Sequence, residues 1–516
     1  MRPRARADLL ALGVLVAIAF LIRLIPHVRS GGLWGVIGYD DGVYFASAVA
    51  MTEGVLPYRD FLLVHPPGEP VVLLPFAVLG AWVGDGTALT IARIATMLAG
   101  AVSCVLAALV CGRSSRLAGL LAGLVYATWR AAAVGDRSTD LHAPQTVLLL
   151  AALLVLGRPG RVRPRRALLA GILLGLATSV QLWQGLAVVV LLWWVAVRGP
   201  RAGRRKADGR RSVAAYLVGA AGAFAAICAP FLLVAPWNAV RYTLVDQIGR
   251  PDAGIGLVDR LTAILAMPAA DQLPVAIRFL APAPWMLGPV ALLTVLFILV
   301  TGYRHPVARP WTVLALAQTL VVLVTPSFFG DYATFPAPAA SLVIGIGAAS
   351  LLAPLVRRGW SASLTRRVSY AIVIPVIGLA VLLEAAFSLT APAGSRVATE
   401  ELTATLGDAR CVSSDTPTLL VLTGTLRSGL RSGCPIVLDP SGVRYDTDRG
   451  HLESGSAGTR DAPGYQAAMQ DWYGSSDAAM FTRSRLGFSA DTWRRIEASL
   501  PLERMVGRVL VRLAEH

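Results

Sequence analysis

Gly38-Tyr39-Asp40-Asp41-Gly42-Val43-Tyr44 brings two adjacent carboxylates and two phenols together directly after the first apolar run. Carboxylates are costly to keep beside lipid, so a retained pair points to chemistry. An aspartate at the start of a helix is held ionised by the helix dipole, and there it can accept a proton from a hydroxyl nucleophile. The plain structural alternative is that Asp40 only caps a helix. A cap needs neither the second aspartate nor Tyr44 nor the polar stretch Tyr58-to-His65 that follows. These additions favour a functional reading of the pair over a cap alone.

The elements that must position this motif are those of a membrane protein. The chain has 516 residues and is 55% hydrophobic, with long apolar runs recurring up to about residue 390, too apolar for a soluble protein of this size. Its net charge of +16 is no nucleic-acid footprint, because the arginines cluster between apolar runs. The clusters are Arg158 to Arg166, Arg198 to Arg211, and Arg357-Arg358 through Arg366-Arg367. This is the pattern of cytoplasmic loops, and the partner it implies is a lipid bilayer. Lys206 is the single lysine; that bias goes with GC-rich bacterial coding and suggests a bacterial plasma membrane.

The basic start Arg2-Pro3-Arg4-Ala5-Arg6 sets the N-terminus in the cytoplasm and sends residues 8–26 outward. With no A-x-A cleavage site behind it, that run reads as a retained anchor. The first outer loop, 27–86, then carries Asp40 and Asp41 on the extracytoplasmic face. Within it, 41–53 and 69–83 are short for spans and read as two interfacial helices. Further spans are expected at 87–111, 117–134, 141–156, 213–235, 282–302, 310–326, 332–354 and 370–388. The stretch 167–197 has basic flanks on both sides and must cross twice, turning outside at Gln181, Trp183 and Gln184.

Eleven transmembrane helices result, with the C-terminus outside. The expected fold is an α-helical polytopic membrane protein with a transmembrane domain over 1–389 and a small α/β extracytoplasmic domain over 390–516. In the latter, Val412, Ile436-Val437-Leu438 and Arg508 to Leu513 read as strands, and 463–473 and 490–500 as helices. Cys411 and Cys434 lie there and can form a disulfide outside the cytoplasm. Cys104, Cys111 and Cys228 sit in apolar runs and read as small buried side chains.

The Tyr39-to-Tyr44 motif, the proline-rich Pro66-Pro67 segment and the apolar helix after it resemble the first outer loop of GT-C glycosyltransferases. That family uses polyprenyl-phosphate sugars and includes protein O-mannosyltransferases and lipid A aminoarabinose transferases. Its loop carries an acidic pair, usually Asp-Glu, with a Tyr three positions on; here the pair is Asp40-Asp41 with Tyr44. Where the aminoarabinose branch has Glu-Lys before Pro-Pro, this chain has Val64-His65. Arg93 in the second span, Asp140 at the outer end of the fourth, and Phe329-Gly330-Asp331-Tyr332 opening the tenth extend the likeness over residues 8–390. The tail matches none of the better-known family tails.

The resemblance implies a GT-C-like fold and an inverting transfer of a hexosyl or pentosyl group, with Asp40 deprotonating or orienting the acceptor hydroxyl and Asp41 in support, either holding the acceptor or pairing with an arginine. The donor would be a polyprenyl-phosphate sugar, and the acceptor an envelope glycan, lipid or protein at the extracytoplasmic face. The leaving lipid phosphate needs positive partners because charge develops on it, and a planar guanidinium suits it. Arg250 is preferred because it shares the long outer loop 236–281 with Tyr242 and Gln247. Arg241, Arg59 and His65 are the other candidates, and Tyr44, Asp140 and Tyr332 are expected to contact the substrate. Each arginine has a bland reading as an interfacial snorkelling residue.

Asp136, Asp140 and His142 could suggest a metal site but lack a close set with ligand spacing, so no metal site is assigned; no cofactor is certain, and a divalent metal is left open without support. Glycine-rich phosphate loops are absent, against a nucleotide-sugar donor or an ATP-driven transporter. Two competing readings are a catalytically silent GT-C-like envelope scaffold and a transporter for a lipid-linked substrate. The transporter predicts inverted halves and mid-membrane charges.

Overall fold

Apolar runs in lipid can satisfy their backbone groups internally only as helices or closed barrels, and here helices carry the chain from Pro3 to Thr390. The computed structural model describes residues 3–157, 162–197, 204–248, 250, 254–358, 364–447, 460–482 and 487–515. The middles of the basic clusters (158–161, 198–203 and 359–363), Gly249 and Pro251 lie outside the described residues.

Helix α1 (Pro3–Ser30) leads to α2 (Tyr39–Thr52) and α3 (Gly68–Val83), then to α4 (Asp85–Gly112), α5 (Arg116–Thr128), α6 (His142–Leu156), α7 (Pro164–Val180) and α8 (Gly185–Val197). The second half holds α9 (Arg204–Val234), α10 (Leu287–Arg304), α11 (Arg309–Val324), α12 (Ala337–Arg358) and α13 (Leu364–Thr390). Among the described residues, five helical stretches are long and apolar enough to cross a membrane: Arg6–Ser30, Asp85–Gly112, Gly209–Val234, Pro284–Arg304 and Gly330–Ala353. Shorter apolar helices stand beside them, including Arg116–Thr128, His142–Leu156 and Arg309–Val324. The chain is a multi-pass membrane protein. Small residues let its helices approach closely. Gly171 and Gly175, one turn apart on α7, lie against the backbone of Tyr216 and Ala220 on α9, where a Cβ would collide.

The apolar stretch 167–197 does break in two at Gln181, where α7 ends and a short turn at Leu182–Gln184 leads into α8. Gln181 and Gln184 are buried there, at 3% and 1% exposure, so the turn points into the protein. In the first loop, α3 keeps Val72, Val78 and Trp82 exposed, as a helix lying against lipid would. Helix α2 is instead buried from Asp41 to Ala50, because the C-terminal region covers it.

That region begins where strand β1 (Gly35–Val36) pairs antiparallel with β2 (Ser395–Arg396), joining the exit of α1 to the exit of α13. A four-stranded sheet follows, made of β3 (Val412–Ser414), β4 (Ala478–Phe481), β5 (Leu502–Val506) and β6 (Val509–Leu513), in the order β3-β4-β6-β5. Helices Pro463–Gly474 and Ala490–Ser499 fall where the sequence placed them. Ile436-Val437-Leu438 is not a strand; the strand that pairs with Val412–Ser414 is Ala478–Phe481, whose alanines hide its β character. Cys411 and Cys434 are bonded to each other, with Cα atoms 5.4 Å apart.

Three short helices of this region matter for the site: α14 (Pro417–Leu422), α15 (Thr425–Arg431) and α16 (Pro440–Thr447). α14 lies on α2 at Gly42, where any side chain would strike Thr418. The glycine of the acidic motif is thus a packing position. α15 is clamped by Arg427, which pairs with Asp85 at 2.8 Å and with Glu53 at 2.5 Å, while Arg431 reaches the same Glu53 at 2.9 Å. Leu402, Leu419, Val421, Met480 and Val511 of the tail share one core with Phe45, Val49, Leu63 and Leu89 of the loop and α4.

Candidate active site

The two aspartates of the motif face different ways. Asp41 turns into the bundle, where its side chain and that of Arg93 on α4 are both fully buried. Arg93 donates to it through Nε at 3.3 Å and through Nη2, and the Thr139 amide and hydroxyl each donate to Oδ1 at 2.9 Å. Burial would raise the Asp41 carboxyl, but Arg93 and Thr139 more than offset it and hold it below the ordinary range. Arg93 also fastens the loop through Nη1, which donates to the carbonyls of Gly32 and Leu33.

Asp40 opens onto a cavity of about 590 Å³ walled by the first loop, the bundle and the C-terminal region. Its side chain is exposed to the cavity, yet the protein mass surrounding that cavity desolvates the carboxyl and pushes it well above the usual aspartate range. The carboxylates of Asp140, Asp331 and Asp439 push the same way and Arg250 opposes them. Asp140, beneath it, is pushed up to about 6, chiefly by burial.

Of the other residues read from the sequence, Tyr44, His65, Asp140, Arg250 and Tyr332 line this cavity. Arg250 Nη1 donates to the Tyr332 hydroxyl at 3.4 Å, and Trp183 holds the Tyr332 ring edge-on at 4.8 Å. His65 is brought down to about 3 by burial and by Arg250, so it is a neutral imidazole at physiological pH. Its backbone carbonyl accepts from the Tyr58 hydroxyl at 2.7 Å. Tyr58 stands at φ 66, held there by Asn238, whose amide donates to the Tyr58 carbonyl at 2.9 Å.

Arg59 and Arg241 are not among the residues that line the cavity. Arg59 pairs with its neighbour Asp60 at 2.6 Å on the surface. Arg241 bonds the carbonyl of Asp446 at 2.8 Å and also its carboxylate, tying the segment 236–248 to α16.

Asp136 does not join the cavity either; it pairs with Arg23 at 2.6 Å inside the bundle. Asp140, His142 and Asp331 do converge, each offering a ligand atom within 4.8 Å of the others. His142 Nε2 is 3.3 Å from Asp331 and 3.7 Å from Asp140. Behind it runs an amide chain, with Gln145 Nε2 3.4 Å from His142 Nδ1 and Gln184 Nε2 donating to Gln145 Oε1 at 2.9 Å. In this arrangement a neutral His142 ring would carry its proton on Nε2; turning both amides over moves it to Nδ1 and frees Nε2 to ligate.

Sequence spacing missed Asp331 as a partner of His142 because 189 residues separate them. It also missed the tail's contribution to the cavity, which comes from Asp439, Ser441, Arg444 and Tyr465 among others.

No protein-family model matches the chain, and no curated protein matches it in sequence. Solved structures do match in fold. ArnT from Cupriavidus metallidurans bound to undecaprenyl phosphate is 15% identical with a TM-score of 0.57, over 98% of this chain and 97% of that one. The oligosaccharyltransferase AglB from Archaeoglobus fulgidus, in complex with an inhibitory peptide and a dolichol-phosphate, is 11% identical with a TM-score of 0.59, over 96% of this chain and 71% of that one. The Archaeoglobus fulgidus oligosaccharyltransferase in complex with Zn and sulfate is 12% identical with a TM-score of 0.57, over 94% of this chain and 70% of that one. Helix order, first-loop motif and these matches agree: the chain has the fold of the GT-C glycosyltransferases.

Proposed function

We propose that this protein is a membrane glycosyltransferase that moves a sugar from a polyprenyl-phosphate donor to a hydroxyl of a cell-envelope acceptor at the extracytoplasmic face. The observation that carries the reading is the division of labour in the acidic pair. Asp41 is consumed by Arg93 and Thr139, while Asp40 opens onto the cavity that Arg250 shares. Neighbours of the same fold hold undecaprenyl phosphate and a dolichol-phosphate, which supports a lipid-phosphate donor.

In this mechanism the Asp40 carboxylate accepts the proton of the acceptor hydroxyl. The oxygen attacks the anomeric carbon from the side opposite the lipid phosphate. The bond from that carbon to the phosphate oxygen breaks, its electrons stay on the phosphate, and the configuration inverts. Arg250 meets the charge on the departing phosphate through its guanidinium fork, and neutral His65 can donate a hydrogen bond to it. Asp41 is a positioning residue that fixes the start of α2 against α4.

Two carboxylates and an imidazole suit a divalent cation, and Asp140, His142 and Asp331 are the residues that would hold one. It would supply positive charge beside four neighbouring carboxyl groups. The reading also places the first loop and the tail outside the cytoplasm.

The test is transfer by purified protein from a panel of undecaprenyl-phosphate sugars to envelope acceptors. Asp40→Asn is expected to slow transfer by roughly 10²- to 10⁴-fold. Transfer by Asp40→Asn at the wild-type rate would overturn the assignment.

A further inference from the structure

The C-terminal region contributes one side chain whose geometry exceeds what its structural task needs. Asp439 precedes α16, is 6% exposed, and forms part of the cavity wall. Its Oδ1 does all the structural work. It accepts from the Gly442 amide at 2.8 Å, from the Ser441 hydroxyl at 3.1 Å, and from the Tyr39 hydroxyl at 2.8 Å. The Tyr39 hydroxyl in turn accepts from the Ser441 amide at 2.9 Å. Asp439 is thereby joined to the residue next to Asp40. Among the described residues, Oδ2 accepts no hydrogen bond. Gly442 leaves it room, since a Cβ there would strike Oδ2 and come 2.7 Å from Cδ2 of Leu62.

A carboxylate with one oxygen locked by three donors and the other open is a rigid acceptor for hydroxyl donors. Its negative charge disfavours a phosphate contact, for which Arg250 is the proposed partner. We propose that Asp439 Oδ2 accepts hydrogen bonds from the hydroxyls of the donor's sugar, so that the C-terminal region reads the sugar while the bundle and first loop hold the lipid phosphate. This rests on the function proposed above and deepens it. The tail then helps choose the donor, and the site is incomplete without it.

The experiment compares wild type and Asp439→Asn in binding undecaprenyl phosphate and a panel of undecaprenyl-phosphate pentoses and hexoses, with no acceptor present. Asparagine keeps the Oδ1 acceptor and caps a helix as well as aspartate does, so thermal unfolding should be unchanged. It replaces Oδ2 by a donor group. Wild type should hold one sugar-bearing lipid more tightly than the bare phosphate. Asp439→Asn should lose about tenfold of that sugar-dependent gain, as expected for one hydrogen bond to a charged group, with undecaprenyl phosphate binding unchanged.

A sugar-dependent gain that survives in Asp439→Asn overturns the inference, and so does a wild type that binds bare and sugar-bearing lipids alike; both outcomes leave the lipid-phosphate reading standing. A wild type that binds none of these lipids overturns the function and this inference together. An equal loss for bare and sugar-bearing lipids assigns Asp439 to structure alone and also overturns it.

Discussion

The buried Asp41–Arg93 pair yields a prediction whose pH dependence differs between its two halves. Both side chains are fully buried, and removing one partner of such a pair costs about 3–5 kcal/mol because the other charge is stranded. In Asp41→Asn the stranded group is a guanidinium, which cannot shed its proton. Asparagine still accepts from Thr139 but turns an amide toward Arg93, so the full penalty should hold across pH 5–8. In Arg93→Met the stranded group is a carboxyl, which can escape by taking up a proton.

Protonating an ordinary aspartate at pH 7 costs about 4 kcal/mol, at about 1.4 kcal/mol per unit above a pKa near 3.9, and that caps the penalty. In Arg93→Met the folded-state pKa of Asp41 lies above its unfolded value, so the folded state binds more protons. Stability therefore falls as pH rises and is recovered as pH drops toward 4, by about 1.4 kcal/mol per unit. The double variant, with both charges gone, should cost at least about 2 kcal/mol less than the sum of the singles. Equilibrium unfolding of the four proteins in mixed detergent–SDS micelles at pH 5, 6 and 7 measures all of this. An Asp41→Asn penalty below about 1 kcal/mol, or two single variants with the same pH dependence, would refute the reasoning.

Other outcomes follow from the cavity and the tail. Asp40 must be ionised to act as base, and burial with three neighbouring carboxylates raises its carboxyl. Transfer should therefore fall tenfold per unit as pH drops through a value well above 3.9; a rate profile flat down to pH 4 would contradict this. Arg250→Ala should weaken undecaprenyl phosphate binding by about 10- to 100-fold, and Arg250→Lys should restore only part of it because a lysine lacks the fork; lipid titration decides. Replacing Cys411 and Cys434, 23 residues apart, by serine should cost about 3 kcal/mol, read by unfolding with and without reductant. After reduction of intact cells, an impermeant thiol reagent should reach both cysteines; a failure to label them would reverse the proposed orientation.

Much of the helical architecture was legible because its signal is local. Apolar runs of helix length have few alternatives in lipid, and Gln181 to Gln184 broke the long stretch 167–197 where the structure breaks it. The inward aim of that turn was not legible, since burial of Gln181 and Gln184 depends on a bundle assembled from distant segments. Asp331 escaped for the same reason: its partners Asp140 and His142 sit just before and at the start of α6, far from it in sequence. Arg59 and Arg241 show how little an arginine's position in an outer loop decides, because each found a carboxylate nearby. The tail was read only as a separate small domain. Its grip on the first loop runs through Thr418 against Gly42, Arg427 against Asp85 and Asp439 against Tyr39, contacts that no local pattern encodes.

The acidic pair could have been divided from the sequence by one further step. Adjacent residues on an α-helix point about 100° apart, so two aspartates at the head of a helix are not both aimed squarely at one substrate. One must turn toward the protein, and a carboxylate turned into a helical bundle needs a buried cation. Arg93 was the candidate already in view, the one arginine inside the second span. Granting that pairing, Asp40 is the residue left for the opposite side, which the structure fills with a cavity. The pair is therefore best understood as an anchor and a base. The anchor sets the rotation of α2 about its axis, and that rotation sets where the base can reach.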